Sequence, residues 1–294
     1  MPMPNKQRQG LVKRQTLTET ELADIEQLTD ICNNDEGLHT QLSWLRTRPI
    51  GNETNDFLYY EDDTLVGYLN VSSYGSEEKE LIGMVHPAYR RRGIFRALLT
   101  AAKEECLRRG VQKLILICEL ASRSGQAFVA AIGAHHEFSE HEMFLATFQA
   151  RHSFDQRLLM RKADAHDTEV LASIMATDLD DIEEAKQYVA EKLLQPNQPF
   201  YLGVLDEEPI GCLRLDEMDG EVGIYGFVVR PEYRGRGYGR QMLEAVIRKI
   251  QAESQKGIML EVDTENTIAI GLYRSCGFQV KATYDYYDFD VQNR

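Results

Sequence analysis

The sequence predicts a mixed α/β protein made of two tandem copies of one domain, each a mixed β-sheet flanked by helices. Three observations predict it: an internal repeat of fixed offset, an ordered succession of strand-like and helix-like periodicities within each copy, and a length suited to two cores. With 294 residues, the chain exceeds the usual domain size of about 100–150 residues, and each half is long enough to bury its own core.

The repeat comes first because it organises everything else. Residues 86–99 (HPAYRRRGIFRALL) resemble residues 230–243 (RPEYRGRGYGRQML). The offset, taken from Arg90 to Arg234, is 144 residues. It also pairs Leu58 with Leu202, Asp62 with Asp206, Gly67 with Gly211, Leu69 with Leu213, Val85 with Val229, Pro87 with Pro231, Tyr89 with Tyr233, and Gly133 with Gly277. These identities fall on glycines, prolines and apolar positions that set turns and cores. The polar stretch Gln149-Ala150-Arg151-His152-Ser153 then marks a boundary, dividing the chain into domains 1–150 and 151–294.

In the second copy, 156–162 reads as a strand, and 167–176 and 181–194 as helices by their apolar spacing. Two strand-like runs, Phe200–Leu205 and 209–215, flank the turn Asp206-Glu207-Glu208 and predict a hairpin. Glu221–Val229 is the next strand. After a glycine-rich turn, Met242, Leu243, Val246, Ile247 and Ile250 share one face of an amphipathic helix. A buried strand over 257–262 and a short helix over 267–275 follow, the helix closed by Gly277. A last strand carries Tyr284, Tyr286 and Tyr287, read as its aromatic surface and a candidate substrate wall. The order is β-α-α-β-β-β-α-β-α-β.

Composition narrows the function classes. No apolar run approaches the roughly 20 residues a bilayer requires, and the polar start Met1 to Gln9 has no apolar stretch behind it, so neither a membrane span nor a secretory signal is expected. The five cysteines, Cys32, Cys106, Cys118, Cys212 and Cys276, are scattered and odd in number, and read as reduced thiols of a cytoplasmic protein. A formal charge of −14 argues against a nucleic-acid partner and favours cationic ligands. A polyanionic ligand needs a local basic island.

The loop Pro231-Glu232-Tyr233-Arg234-Gly235-Arg236-Gly237-Tyr238-Gly239-Arg240 is such an island, set between a strand and a helix. Its glycines let backbone N–H groups approach an anion, and the following helix contributes about half a positive charge at its N-terminus. The G-x-G-x-G spacing is not the dinucleotide fingerprint, and no Lys-Ser/Thr pair makes it a P-loop. The bland reading is a flexible turn.

Arg234-x-x-Gly237-x-Gly239 matches the R/Q-x-x-G-x-G/A motif, and Asn266-x-x-Ala269-x-x-Leu272-Tyr273-x-x-x-Gly277-Phe278 a second motif, of the GNAT superfamily of N-acetyltransferases, which the second half therefore resembles. The element order is also that family's. The resemblance implies a sheet whose strands splay before the loop, with the pantetheine arm of acetyl-CoA entering the gap like another strand. It assigns the arm to Phe227 and Val229, an oxyanion-donating N–H to Phe227 or Val228, the pyrophosphate to Arg234, Gly235, Arg236, Gly237, Tyr238, Gly239 and Arg240, and a hold on the arm to Asn266.

Amine acetylation benefits from a base, since a lysine-like amine is neutral at pH 7 in about one molecule per few thousand. By period-two alternation Glu221, Gly223, Tyr225 and Phe227 share a face, so Glu221 is a candidate base acting through water; its plain alternative is a solvated residue at a strand start. Asp263 and Asp216 are weaker candidates. Tyr273 stands where the family commonly places a tyrosine acid for the leaving thiolate; its plain alternative is a core aromatic beside Leu272 and Ile268. In the first copy, Phe95, Val129, Ser122 and Gly125 replace Gly239, Tyr273, Asn266 and Ala269, so that copy reads as degenerate. His135, His136 and His141 form no ordered metal-ligand set, and no metal is expected. One intact and one degenerate copy resemble the mycothiol synthases in layout alone. The implied function is acetyl transfer from acetyl-CoA to a primary amine, on a small molecule, by direct attack in a ternary complex. The alternatives are a non-catalytic acyl-CoA-binding or regulatory module and a protein lysine or N-terminal acetyltransferase.

Overall fold

The computed structural model describes residues 8–46, 48, 51–74, 78–150, 155–177, 182–195, 197–217 and 220–290. Residues 1–7 of the polar start, 151–153 of the expected boundary and residue 181 of the expected helix lie outside these.

The chain divides into two compact units: Met1–Glu140 with Ala282–Arg294, and His141–Lys281. This differs from a cut at residue 150. The chain passes from one unit to the other inside a strand, twice, and both strands are long. β6 (His135–Leu145) has 11 residues and β12 (Phe278–Asp290) has 13. Local alternation is the same whichever unit a strand serves, so the sequence carries no signal of the crossing.

The first unit contains β1 (Gly10–Arg14), α1 (Glu19–Glu36), β2 (Asp56–Glu61), β3 (Thr64–Tyr74), β4 (Glu78–Val85), α2 (Ile94–Arg108), β5 (Lys113–Glu119) and α3 (Arg123–Ile132). β1 to β4 pair antiparallel in sequence order, and β5 adds parallel to β4. The free side of β5 takes the end of β12, from Tyr284 opposite Glu119 to Asp290 opposite Lys113. Tyr284, Tyr286 and Tyr287 therefore belong to the first unit. α1 opens on a reciprocal cap between Thr18 and Glu21 and stops at Gly37 in the left-handed region. It covers one sheet face through Leu22, Ile25 and Leu28, which pack with Leu58, Tyr60 and Tyr68. α2 and α3 cover the other through Leu98, Ala102, Cys106 and Val129.

The second unit repeats the plan with β7 (Leu158–Lys162), α4 (Thr168–Met175), α5 (Ile182–Leu193), β8 (Phe200–Leu205), β9 (Glu208–Glu217), β10 (Glu221–Val229), α6 (Tyr238–Glu253), β11 (Gly257–Asp263) and α7 (Thr267–Cys276). β7, β8, β9 and β10 pair antiparallel in turn, and β11 joins β10 in parallel. The hairpin expected at Asp206 is present: Asp206 and Glu207 both have positive φ (48° and 72°), as a tight two-residue turn requires. α4 and α5 pack on Phe200, Leu202, Cys212 and Val228; α6 and α7 pack on Leu213, Leu215, Ile224 and Leu260. All five cysteines are free and buried.

Candidate active site

The site follows from where β10 and β11 stop pairing. They are bonded only from Glu221 opposite Gly257 to Ile224 opposite Leu260, yet β10 continues to Val229 and β11 to Asp263. Just past Ile224, β10 carries a bulge against β9: Tyr225 faces Arg214, and the next partners are Val228 and Cys212. Gly226 sits inside the bulge at φ +54°, a backbone state that an L side chain resists. One extra residue swaps the faces of everything after it. Val222 and Ile224 pack toward α6, and beyond the bulge so does Phe227, whereas Tyr225 lies on the opposite face with Arg214. The expectation that Glu221, Gly223, Tyr225 and Phe227 share one face fails for Phe227. Simple alternation cannot foresee a bulge.

Past Val229 the chain makes one short helical turn, Pro231–Tyr233, and enters the glycine loop. Gly235 and Gly237 have φ of +73° and +85°, and a Cβ built on either meets nothing within 4 Å. The left-handed backbone favours glycine there, and open space lies above it. Gly237 is the N-cap of α6 and supplies no side-chain cap; the first helical bond runs from Gln241 N–H to Gly237 C=O. The N–H groups of Tyr238, Gly239 and Arg240 therefore form an uncapped helix N-terminus, the arrangement that holds a diphosphate. A Cβ at Gly239 would lie 3.5–3.8 Å from Val229, Leu272 and Phe227, so the loop and the parted strand share one apolar wall.

The arginines divide differently from the expectation that all three serve the ligand. Arg234 Nε donates to Val229 C=O at 2.6 Å and so braces the loop against its strand. Arg240 Nε donates to Glu244 at 2.7 Å, and its Nη2 to Gln149 C=O at 2.9 Å and Ser275 C=O at 2.8 Å, with Nη1 on Ser275 Oγ. These partners hold its guanidinium, while its backbone N–H lies in the uncapped first turn of α6. Arg236 lies 5.8 Å over the Tyr233 ring. Tyr238 packs beside Val229 and Tyr233.

Asn266 is the N-cap of α7, its Oδ1 accepting from Ala269 N–H at 3.1 Å. The cap occupies the oxygen and leaves the Nδ2 amide for a ligand. Tyr273, 7% exposed, packs in the α6–α7 core, its ring 6.1 Å from that of Phe278. Its hydroxyl has no hydrogen-bond partner among the described residues. Burial, with a smaller contribution from Cys276, pushes its pKa up to about 12. It is a phenol that stays protonated across the working pH range.

Glu221 lies at the closed end of the parallel pair, opposite Gly257. Three residues separate it from the point of parting, about 10 Å along a strand. Asp263 accepts from Glu265 N–H at 2.7 Å in the turn ahead of α7. Asp216 accepts from Gln198 Nε2 at 2.7 Å. The acid the sequence reading missed is Glu261, one residue past the last paired position of β11. Ile258, Leu260 and Val262 pack toward α6 and α7, so Glu261 faces the other side with Tyr225. Burial first, then the charges of Glu261 and Asp216, drive the Tyr225 hydroxyl far above its ordinary range. Alternation in β11 gives that face from sequence, but the parting point is a tertiary fact.

The first unit differs from the second at several of these points. β4 and β5 also part, after Leu81 and Leu116, and a cavity of about 580 Å³ lies there. The β3–β4 ladder runs from Gly67 opposite Val85 to Tyr74 opposite Glu78 with no register shift, so the bulge is missing. Arg91 adopts φ +65° where the second copy has Gly235. Phe95, at the place of Gly239, packs edge-on against Phe128 at 4.6 Å, and both rings line that cavity. Glu36 accepts from Ser122 Oγ (2.9 Å) and Ser124 N–H (3.1 Å) and pairs with Arg90 at 3.2 Å, so a carboxylate already occupies the N-terminus of α3. Val129, at the place of Tyr273, has no proton to give.

A parted mixed sheet beside a glycine-lined, uncapped helix N-terminus is the frame of the acyl-CoA N-acetyltransferases. The chain belongs to the acetyltransferase (GNAT) family, matched by residues 21–134 and again by 166–278. It is 27% identical over 241 residues to a mycothiol acetyltransferase of Thermobispora bispora, covering 75% of this chain and 79% of that one. Over 86 residues it is 37% identical to N-alpha-acetyltransferase 30 of Saccharomyces cerevisiae, 27% of this chain, and it spans about half of that relative's length (48%). A tandem GNAT protein from the clavulanic acid biosynthesis pathway shares the fold, with a TM-score of 0.70 at 17% identity over 97% of this chain and 99% of that one. No described helix is long and apolar enough to cross a membrane.

Proposed function

We propose that the second unit transfers an acetyl group from acetyl-CoA to a primary amine on a small molecule. The observation that carries this is the coincidence, in one unit, of the open glycine loop with an uncapped helix, the bulged parting of β10 from β11, and a buried protonated phenol. The diphosphate would rest on the N–H groups at 238–240, and the arm would run along Phe227 and Val229 toward Asn266. The bulge would leave an N–H near Phe227 or Val228 for the thioester oxygen, where charge develops in the transition state.

With the arm on the α6–α7 side, the amine approaches from the opposite face, where Glu261 and Asp216 lie. Its nitrogen attacks the thioester carbonyl carbon; the C–N bond forms as the C–S bond breaks. The nitrogen gives its proton to Glu261, which replaces Glu221 as the base in this proposal, and the sulfur takes one from Tyr273. The products are an acetamide and the CoA thiol. The mycothiol acetyltransferases, matched over most of the chain, support a small-molecule amine. Thiol release from acetyl-CoA across a panel of amines, amino sugars and short peptides tests this reading. A binding module would show saturable acetyl-CoA affinity without amine-dependent release. Turnover of peptides alone would move the acceptor to proteins.

A further inference from the structure

On the acceptor face of the second unit, Arg214 Nε and Gln198 Oε1 are buried and have no hydrogen-bond partner among the described residues. Arg214 is 6% exposed. It stands in β9 between Leu213 and Leu215, whose side chains pack toward α6, so its own side chain emerges on the opposite face beside Tyr225. The guanidinium lies 5.1 Å over the Tyr225 ring and makes one hydrogen bond, from Nη1 to Asp216 Oδ2 at 3.2 Å. The same Asp216 oxygen accepts from Gln198 Nε2, which leaves the oxygen of that amide unused.

A guanidinium presents five N–H donors in a rigid fork, and a buried one is stable only when its charge and donors are answered. Here one donor of five is answered by protein. The Nε edge has the geometry that a planar carboxylate meets with two parallel bonds. The Tyr225 ring lies beside the guanidinium, and Asp216 holds its Nη1. Around it, Glu261, Asp216 and Glu142 set a negative field felt at Tyr225, suited to an ammonium before it loses its proton. The first unit gives an internal comparison. At the matching place stands Asn70, also fully buried and also with an unpartnered atom, Oδ1. The position faces inward and is polar in both copies, but only the second carries a cation.

We infer that the acceptor is an amine that also carries a carboxylate, of the α-amino-acid class, with Arg214 reading the carboxylate and Glu261 facing the amine. This rests on the reading of the second unit as an amine acetyltransferase. Gln198 Oε1 then accepts an N–H from the same ligand.

The test uses the full chain, acetyl-CoA and matched acceptors differing only at the carboxyl group: each common amino acid against its own amide. The amide's amine is the less basic and is neutral more often, so chemistry alone favours the amide. At least one amino acid is expected to exceed its amide in kcat/KM by about 10–100-fold, the worth of one charge-assisted bond or two. Arg214→Gln and the charge-retaining Arg214→Lys should each remove that advantage through KM, with a much larger loss on the acid than on its amide and with acetyl-CoA affinity near wild type. Amides turned over as well as or better than the acids by the wild type would overturn the carboxylate assignment while leaving the acetyltransferase reading intact. An equal loss on acid and amide in both variants would overturn it too, making Arg214 structural. Absence of turnover with every amine would overturn both.

Discussion

Tyr273→Phe separates the two roles open to that residue, because each predicts a different sign for stability and for rate. The substitution removes one oxygen from a residue 7% exposed and keeps the ring that packs near Phe278. That hydroxyl has no partner among the described residues, so its removal should leave stability unchanged or slightly raised. The pH dependence carries a second signature. The phenol is pushed up to about 12 in the fold, against about 10 when unfolded. Between those values the unfolded chain has released a proton that the folded chain retains, so stability is unaffected below pH 10 and falls as pH rises toward 12. Two pH units of differential protonation correspond to about 2–3 kcal/mol. Melting followed from pH 8 to 11.5 should show the start of this decline in the wild type and a weaker one in Tyr273→Phe. If the phenol also protonates the departing thiolate, turnover should fall by about 10²–10⁴-fold with acetyl-CoA affinity unchanged. The wild-type rate should show no loss of the acid below about pH 11. A variant with wild-type turnover on both fast and slow amines, and unchanged or improved melting, would refute the acid role and leave a core aromatic.

The two loop glycines form a matched pair, since Gly237 and Gly93 have φ of +85° and +79° and each has open space at its Cβ. Alanine at either should cost about 1–2 kcal/mol by thermal melting; calorimetry should find acetyl-CoA affinity reduced about tenfold or more only in Gly237→Ala. Glu261→Gln should reduce kcat about 10²-fold or more with the high-pH rate partly restored, whereas Glu221→Gln should stay within about threefold; steady-state rates against pH check both. Asp56, fully buried, bonds Tyr68 Oη at 2.6 Å and Asn70 Nδ2 at 2.9 Å and pairs with Arg48. Asp56→Ala leaves that guanidinium unpaired and should cost about 3–5 kcal/mol in denaturant unfolding.

Much of the fold was legible because it is local or repeated. The strands Phe200–Leu205 and Glu221–Val229 fall where alternation places them, and the hairpin at Asp206 follows from turn chemistry. The 144-residue offset exposed the tandem plan and the weakened first loop. What escaped was set by tertiary structure. The tyrosines of β12 serve the first unit because strand pairing at long range is silent in a period-two pattern. The bulge at Gly226 reversed the face of Phe227, and the parting after Ile224 left Glu221 at the closed end while bringing Glu261 to the open one. The charge of Arg240 is visible in sequence, whereas the partners of its guanidinium, Glu244, Gln149 and Ser275, are not.

The most direct test of the second unit as the working one is amine-dependent release of CoA thiol by the full chain carrying either Gly237→Glu or Gly93→Glu. Each places a carboxylate at the N-cap of the helix after its loop. Release should be lost in Gly237→Glu, where the carboxylate opposes the diphosphate, and should stay close to the wild-type rate in Gly93→Glu, with both variants folded by circular dichroism. Loss of release in Gly93→Glu with retention in Gly237→Glu would contradict the account.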